Sequence, residues 1–324
     1  MPTEDAQTSS KPTLDERLDV IRHTVANKMR LRAMPVVREC FAEFIGTAIL
    51  IIFGCGVLAQ VIVGDNGKGG HGDFMSISLG WGMAVMIGVF FSGGAGPGLI
   101  NPAVTLAFAI VGKVKFYKVL PYTLSQLLGA FVGALLVLAI HYDGIVNLAE
   151  RDNNGEYKLN HTGKIFVTMP AEGISNTACF VDQLFGTFLL ASSALAITDK
   201  NNWHLPSYLH PFMIGMMIFT VVGAFGINAG AALNPARDLG PRLMIALCGW
   251  GTQSFTAYQY YFWIPIVGPY IGAIVGAIFY EMTIGIHLDE AGDPSLPKNF
   301  NDRVRSVIIL IFSHTDSIGA QKNH

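Results

Sequence analysis

The chain has 324 residues, of which 51% are hydrophobic and only 14% are charged, and its formal net charge is −2. Its mean hydropathy is +0.44. Because soluble domains carry roughly 25% charged residues, this composition excludes an ordinary soluble protein and indicates an integral membrane protein.

The chain begins with a polar and basic segment, residues 1–35, which we expect to be a disordered N-terminal tail. No secretory signal is visible in it, so the first apolar run should act as the targeting signal and stay in the membrane. A helix needs about 20 apolar residues to cross the hydrocarbon. Long stretches with almost no charge predict six membrane-spanning helices, near residues 40–63, 76–94, 120–141, 180–198, 209–227 and 261–283.

Two further apolar pieces, near 102–111 and 235–247, are too short to span a membrane. Asn is a strong N-cap residue, and Pro is favoured at the first helical position. We therefore expect each piece to be a half-helix that starts inside the membrane. Each begins with Asn-Pro-Ala, formed by Asn101, Pro102 and Ala103 and by Asn234, Pro235 and Ala236.

The two halves of the chain match in order, which indicates a duplication. Glu43 in FAEFIGTAILI corresponds to Gln183 in FVDQLFGTFLLA. We assign a first repeat to about 36–141 and a second to about 179–287, within one domain at 36–290. With three spans in each half, the second repeat must be inverted, and inverted repeats with broken helices place the functional site near the midplane. Recurring glycines, which we interpret as helix-packing positions, are Gly129, Gly133, Gly272 and Gly276.

Two inverted half-helices direct their positive dipole ends, each roughly half an elementary charge, at one point. Cations and protons are repelled there, whereas each Asn amide can donate a hydrogen bond to a neutral hydroxyl or water. Irregular backbone at membrane depth is tolerated only where it is buried or lines water, so the Gly-rich runs 93–100 and 226–233 should line a pore. The expected carbonyl acceptors are those of Pro97, Gly98, Leu99, Ala229 and Gly230.

Arg237 lies in the first turn of the second half-helix. A midplane Arg costs at least about 2.5–3.5 kcal/mol on insertion scales, so it is a functional candidate that would donate hydrogen bonds and exclude cations. The alternative is a structural partner for Asp238 or a loop carbonyl. Asp238 and Arg242 are four residues apart and should pair. We interpret Glu43 and Gln183 as polar struts that hold the re-entrant loops.

Lys and Arg in the segments before span one, between spans two and three and after span six predict that both termini are cytoplasmic. The 143–178 connection then faces outside, and we expect the plasma membrane as the location. This connection contains Asn160-His161-Thr162, an acceptor pattern for N-glycosylation. A chance match of so common a pattern is the alternative.

The doubled INPAVT and LNPARDLGPR, the six spans and AEFIGT resemble the aquaporin (major intrinsic protein) family over about residues 36–290. Asp238, Arg242 and the Pro265-Ile266 step are similar to its aquaglyceroporin branch. The resemblance implies an all-α membrane protein with six transmembrane helices and two re-entrant half-helices, an hourglass channel that is usually a homotetramer surrounded by membrane lipid. It implies passive passage of glycerol, water and related small neutral solutes such as urea, without ions or protons.

The resemblance also implies which residues form the narrowest filter. These are Arg237, Trp81 in span two, Val222 or Gly223 in span five, and Ala231 in the second loop. A Trp face would let the carbon side of a polyol slide while Arg237 holds its hydroxyls. An interfacial belt position is the alternative for Trp81. Ala231 stands where many glycerol channels have an aromatic residue, which predicts a wide opening.

A membrane-embedded enzyme or receptor would need a catalytic or ligand constellation, and the sequence offers none. A water-selective, closed or structural member of the same family stays open as an alternative. We expect no metal site, since no histidine pair has ligand spacing backed by a carboxylate on the same face. We also expect no cofactor and no nucleic-acid partner. The C-terminal segment 291–324 should be a cytoplasmic tail, in which 307–312 is too short to span. Free buried thiols are expected for Cys40, Cys55, Cys179 and Cys248.

Overall fold

The computed structural model describes residues 13–31 and 33–288. The described secondary structure is helical apart from an isolated bridge between Arg151 and Tyr157. The helices are α1 (Leu14–Met29), α2 (Pro35–Val63), α3 (Phe74–Ser92), α4 (Pro102–Ile110), α5 (Val119–Ile140), α6 (Tyr142–Leu148), α7 (Asn176–Thr198), α8 (His210–Phe225), α9 (Pro235–Ile245), α10 (Gln253–Tyr260) and α11 (Ile264–Thr283).

Six of the described helices are long and apolar enough to cross a membrane. They centre on α2, α3, α5, α7, α8 and α11, so the predicted spans are confirmed, with ends that differ by a few residues. The largest difference is at α2, which begins at Pro35, before the apolar run itself. Proline is favoured at the start of a helix because it has no N–H to leave unpaired.

The two short helices α4 and α9 begin at the Pro of each Asn-Pro-Ala, as predicted. α9 packs against α5, and α4 packs against α11. Each half-helix therefore lies against a spanning helix of the other repeat.

The repeat is visible in the packing of the spanning helices. Glycines on α5 and α11 have no side chain, so these helices approach the backbones of α2 and α7 closely. A Cβ added at Gly129 would meet the Phe44 carbonyl, and one at Gly133 would meet the Ala48 carbonyl. In the second repeat, a Cβ at Gly272 would meet the Leu184 carbonyl, and one at Gly276 would meet the Phe188 carbonyl. The second pair of carbonyls lies 140 residues after the first, the offset that relates Glu43 to Gln183.

The N-terminal segment differs from the expectation of disorder, because Leu14–Met29 forms a helix. It starts with a capping box in which the Thr13 hydroxyl accepts from the Glu16 N–H at 3.3 Å and the Glu16 carboxylate accepts from the Thr13 N–H at 2.7 Å. Two orphan donors of the first turn are thereby satisfied. The predicted C-terminal tail 291–324, with 307–312, lies outside the described residues.

Candidate functional site

Asn101 and Asn234 cap the two half-helices. Each side-chain oxygen accepts N–H groups from the second and third residues after it, at 2.9 and 3.4 Å for Asn101 and at 3.0 and 3.2 Å for Asn234. Each side-chain amide also reaches the other half. Asn101 Nδ2 donates to the Leu233 carbonyl at 2.9 Å, and Asn234 Nδ2 donates to the Ile100 carbonyl at 2.8 Å. Because an amide has two N–H groups, one remains on each Asn.

The residues before the two asparagines have unusual backbone conformations. Ile100 and Leu233 have φ values of 44° and 53°, in the left-handed region that residues other than glycine rarely occupy. The Ile100 N–H donates to Glu43 Oε2 at 2.7 Å, and the Leu233 N–H donates to Gln183 Oε1 at 3.1 Å. Buried polar side chains of α2 and α7 therefore hold both strained loops. Glu43 accepts further hydrogen bonds from Leu99 and Gln126.

A cavity of about 450 Å³ runs along α3, since both Trp81 and Phe90 line it. At a rise of 1.5 Å per residue these two positions are roughly 13 Å apart. Asn101 and Asn234 also line the cavity, and most of the remaining wall is aliphatic. The two half-helix N-termini therefore meet beside an elongated cavity with an apolar wall and a polar wall.

Arg237 and Trp81 are in direct contact at this cavity. The guanidinium carbon of Arg237 lies 4.2 Å from the centroid of the Trp81 ring, close enough for a cation–π interaction. Arg237 Nη1 also donates to the Phe166 carbonyl at 2.7 Å. Both side chains are buried inside the protein, whereas a residue of an interfacial belt would face lipid. Arg237 therefore binds a loop carbonyl, as a purely structural role would require, and it also lines the cavity.

The structure separates Val222 from Gly223, the two expected filter positions of α8. Val222 lines the cavity. Gly223 is exposed and is not among the lining residues, and no neighbouring atom outside its own helix backbone lies within 4 Å of the place its Cβ would take. Consecutive residues on a helix point about 100° apart, so the two positions face different directions. The structure therefore places Val222, and not Gly223, on the cavity wall, and Val222 is the filter position that we propose for α8.

The expected loop residues divide in a similar way. Ala231, Pro97, Gly98 and Leu99 line the cavity. Ala229 and Gly230 are not among the lining residues. Ala229 is instead buried in a small cluster with residues Cys179, Tyr261 and Ile264. Of the residues expected to supply carbonyl acceptors, those of the loop before α4 line this cavity and those of the loop before α9 do not.

Val222→Phe is expected to lower solute flux by about tenfold, because a phenyl ring would narrow the cavity that Val222 lines and each 1.4 kcal/mol added to the barrier slows passage tenfold. Gly223→Ala is the matched control and should leave flux unchanged, since its Cβ meets open space. Stopped-flow swelling of proteoliposomes measures both. Loss of flux in the Gly223 variant alone would reverse the assignment.

Asp238 and Arg242 form the predicted ion pair, at 2.6 Å from Nε to Oδ1, with both side chains buried. The structure adds Thr168, whose N–H and hydroxyl donate to Asp238 Oδ2 at 2.9 and 2.6 Å. Arg242 donates in turn to the carbonyls of Thr168 and Ser254. The sequence interpretation missed Thr168 and Phe166, because contacts across some 70 residues leave no local signal. The connection after α6 is thereby fixed to the second half-helix.

Asn160, the expected glycosylation position, is exposed, and Thr162 of the same pattern is buried. All four cysteines are free, and Cys55 and Cys179 are buried, whereas Cys40 and Cys248 are partly exposed.

The model of the major intrinsic protein family matches residues 30–280, which is most of the described chain. The chain belongs to this family. The resemblance stated from the two Asn-Pro-Ala motifs is therefore confirmed. Family members are channels, so the protein is a multi-pass membrane channel and not an enzyme.

Relatives within the family point to one branch. Human aquaporin-9 is 42% identical over 256 residues, which cover 78% of this chain and 84% of the relative. Aquaglyceroporin-2 from Rhizophagus irregularis is 38% identical, covering 75% of this chain and 76% of the relative. The X-ray structure of the aquaglyceroporin from Plasmodium falciparum is similar with a TM-score of 0.69 at 32% identity, covering 77% of this chain and 97% of that one.

Proposed function

We propose that this protein is a passive channel for glycerol, related small neutral solutes such as urea, and water. The observation that carries the proposal is the paired Trp81 ring and Arg237 guanidinium on the cavity wall, beside Val222 and Ala231. A polyol has a carbon side and a hydroxyl side. The Trp81 indole and the aliphatic side chains can contact the carbon side, and the Arg237 guanidinium and the loop backbone can bind the hydroxyl groups.

Exclusion of ions and protons is part of the proposal. The N-termini of α4 and α9 each contribute roughly half a positive charge at the cavity, and Arg237 adds a full one. A cation entering this passage would lose hydration and meet the positive ends of both half-helices and the Arg237 guanidinium. A neutral hydroxyl can instead accept the remaining N–H groups of Asn101 and Asn234, which we propose as the central pore residues.

Stopped-flow light scattering of proteoliposomes tests the function. A glycerol gradient should give shrinkage followed by re-swelling, whereas a gradient of an impermeant sugar should give shrinkage alone. Trp81→Ala should pass a larger polyol such as sorbitol because one wall of the filter is gone. Arg237→Ala should lose part of the cation and proton barrier, which a pH-sensitive dye inside the vesicles reports.

Gly223→Ala is the matched control, since it changes a residue near the filter that is not among those lining the cavity. Water flux without glycerol flux in the wild-type protein would contradict the glycerol proposal and favour a water-selective channel. The absence of both fluxes would favour a closed or structural member of the family.

We further propose a plasma-membrane homotetramer in contact with lipid, with both termini cytoplasmic and Asn160 glycosylated. The positive residues flanking spans one, two, three and six support this orientation. The exposure of Asn160 supports the modification. Asn160→Gln should abolish a glycosidase-sensitive mobility shift, and an unshifted wild-type protein from glycosylating cells would count against an outside location of the loop.

A further inference from the structure

The helix α1 displays an apolar stripe that the channel function does not use. Leu14, Leu18, Ile21 and Val25 recur at spacings of four, three and four residues, and their exposed fractions lie between 40% and 72%. At 100° per residue these four side chains occupy one narrow face of the helix. We call this face the α1 stripe. Val20 is also exposed but lies on the other side.

Basic residues of α1 lie beside the α1 stripe, and acidic residues lie farther from it. From the helical angle, Arg17, Arg22 and Lys28 lie within about 70° of the stripe centre. The acidic residues Asp15, Glu16 and Asp19 lie at about 90° or more from it. An apolar face flanked by basic side chains, with acidic residues turned away, is typical of a helix lying on an anionic bilayer surface.

One ion pair involves a flanking residue. Arg22 Nη1 lies 3.4 Å from Asp19 Oδ1, and both side chains are largely exposed. Exposed pairs of this kind contribute little, so Arg22 remains available to a lipid phosphate.

The connection to the membrane is short. α1 ends at Met29 and α2 begins at Pro35. The linker, residues 30–34, reaches at most roughly 17 Å when fully extended. The C-terminal end of α1 is therefore tethered close to the start of α2, and the linker is long enough to let α1 lie on the bilayer surface.

We infer that α1 is a membrane-surface helix, whose stripe enters the headgroup boundary of an anionic leaflet while Arg17, Arg22 and Lys28 contact lipid phosphates. The inference rests on α2 crossing the membrane and does not depend on which solute the channel passes. Membrane attraction of about 1 kcal/mol per basic residue near an anionic surface favours this arrangement.

Pairing of α1 helices between two copies fits the charges less well, although the stripe spacing resembles a coiled-coil seam. In a parallel pair Arg17 would face Arg22 of the second helix, which repels it. Lys28, seven residues after Ile21, would enter the seam itself. The lipid surface is therefore the occupant that the sequence of α1 favours.

Hydrogen-exchange mass spectrometry of the full-length protein tests the inference. The protein is placed in nanodiscs of phosphatidylcholine, in nanodiscs with about one third phosphatidylserine, and in a neutral detergent. Amides of α1 should exchange at least about tenfold more slowly on the anionic nanodiscs than on the neutral ones. High salt should reduce this difference because it screens the attraction.

Two matched double variants separate the stripe from the opposite face. Leu18→Glu with Ile21→Glu should abolish the lipid-dependent protection. His23→Glu with Asn27→Glu changes the charge at neutral pH by the same amount on the other face and should retain it. Both should keep the wild-type thermal unfolding midpoint, which shows that the channel is folded whichever solute it passes.

Equal protection of α1 in all three environments would overturn the inference and indicate pairing between copies. Absence of protection in all three would overturn it as well.

Discussion

Asp238→Ala is expected to lower the unfolding midpoint of the purified protein by on the order of 10 °C. The carboxylate is fully buried and accepts hydrogen bonds from Arg242 and from the N–H and hydroxyl of Thr168. Removing one partner of a buried ion pair costs about 3–5 kcal/mol, because the other charge is left without compensation. Thermal unfolding in detergent, followed by light scattering or tryptophan fluorescence, measures the shift.

The chain offers a matched control in Asp19, which pairs with Arg22 three residues away but is largely exposed. Asp19→Ala should leave the midpoint unchanged, since solvent replaces the lost partner. Thr168→Val should fall between the two variants, because it removes only the hydroxyl and leaves the backbone N–H in place. Equal midpoints for the Asp238 and Asp19 variants would show that burial of the pair does not govern stability.

Gly54→Ala is expected to reduce glycerol flux by about tenfold without unfolding the protein. A Cβ at Gly54 of α2 would overlap the indole ring of Trp81. The ring also contacts the Arg237 guanidinium and lines the cavity, so we expect the indole to move into the lumen when it relieves the overlap. The expected tenfold reduction corresponds to about 1.4 kcal/mol added to the barrier for passage. The overpacking itself costs about 1–3 kcal/mol of folding stability.

Gly56→Ala is the control for that experiment. Gly56 lies on the same helix, and no atom approaches within 4 Å of its added Cβ. Both substitutions should favour the helix equally, so they differ only in the contact with Trp81. Proteoliposome swelling with glycerol compares them, and wild-type flux in the Gly54 variant would mean that the indole can move without narrowing the passage.

The sequence predicts the spanning helices and half-helices well, because their signals are local. An apolar run of about 20 residues or an Asn followed by Pro is informative without knowledge of distant residues. The same holds for the Asp238–Arg242 pair, whose members are four residues apart. The family resemblance placed Trp81, Ala231 and Arg237 at positions that the structure brings to one cavity.

Other features depend on contacts that a sequence does not display. Thr168 and Phe166 lie some 70 residues from their arginine partners, and Gly54 matters only because Trp81 of another helix lies against it. Which of Val222 and Gly223 lines the cavity depends on how α8 is rotated about its axis. The sequence does not predict this rotation, because apolar residues lie on all sides of α8. In α1 the polar composition indicates disorder, whereas the four-three-four spacing of its apolar residues is typical of a helix.

The reciprocal hydrogen bonds of the two asparagines have a consequence for synthesis of the chain. Asn101 reaches the Leu233 carbonyl, a partner 132 residues later. At about 5–20 residues per second, the ribosome needs on the order of ten seconds to supply that partner. During this interval the first half-helix would remain in the membrane without its cross-repeat bond. The finished lumen therefore cannot assemble one half at a time, and a nascent chain arrested between the repeats lacks both reciprocal bonds.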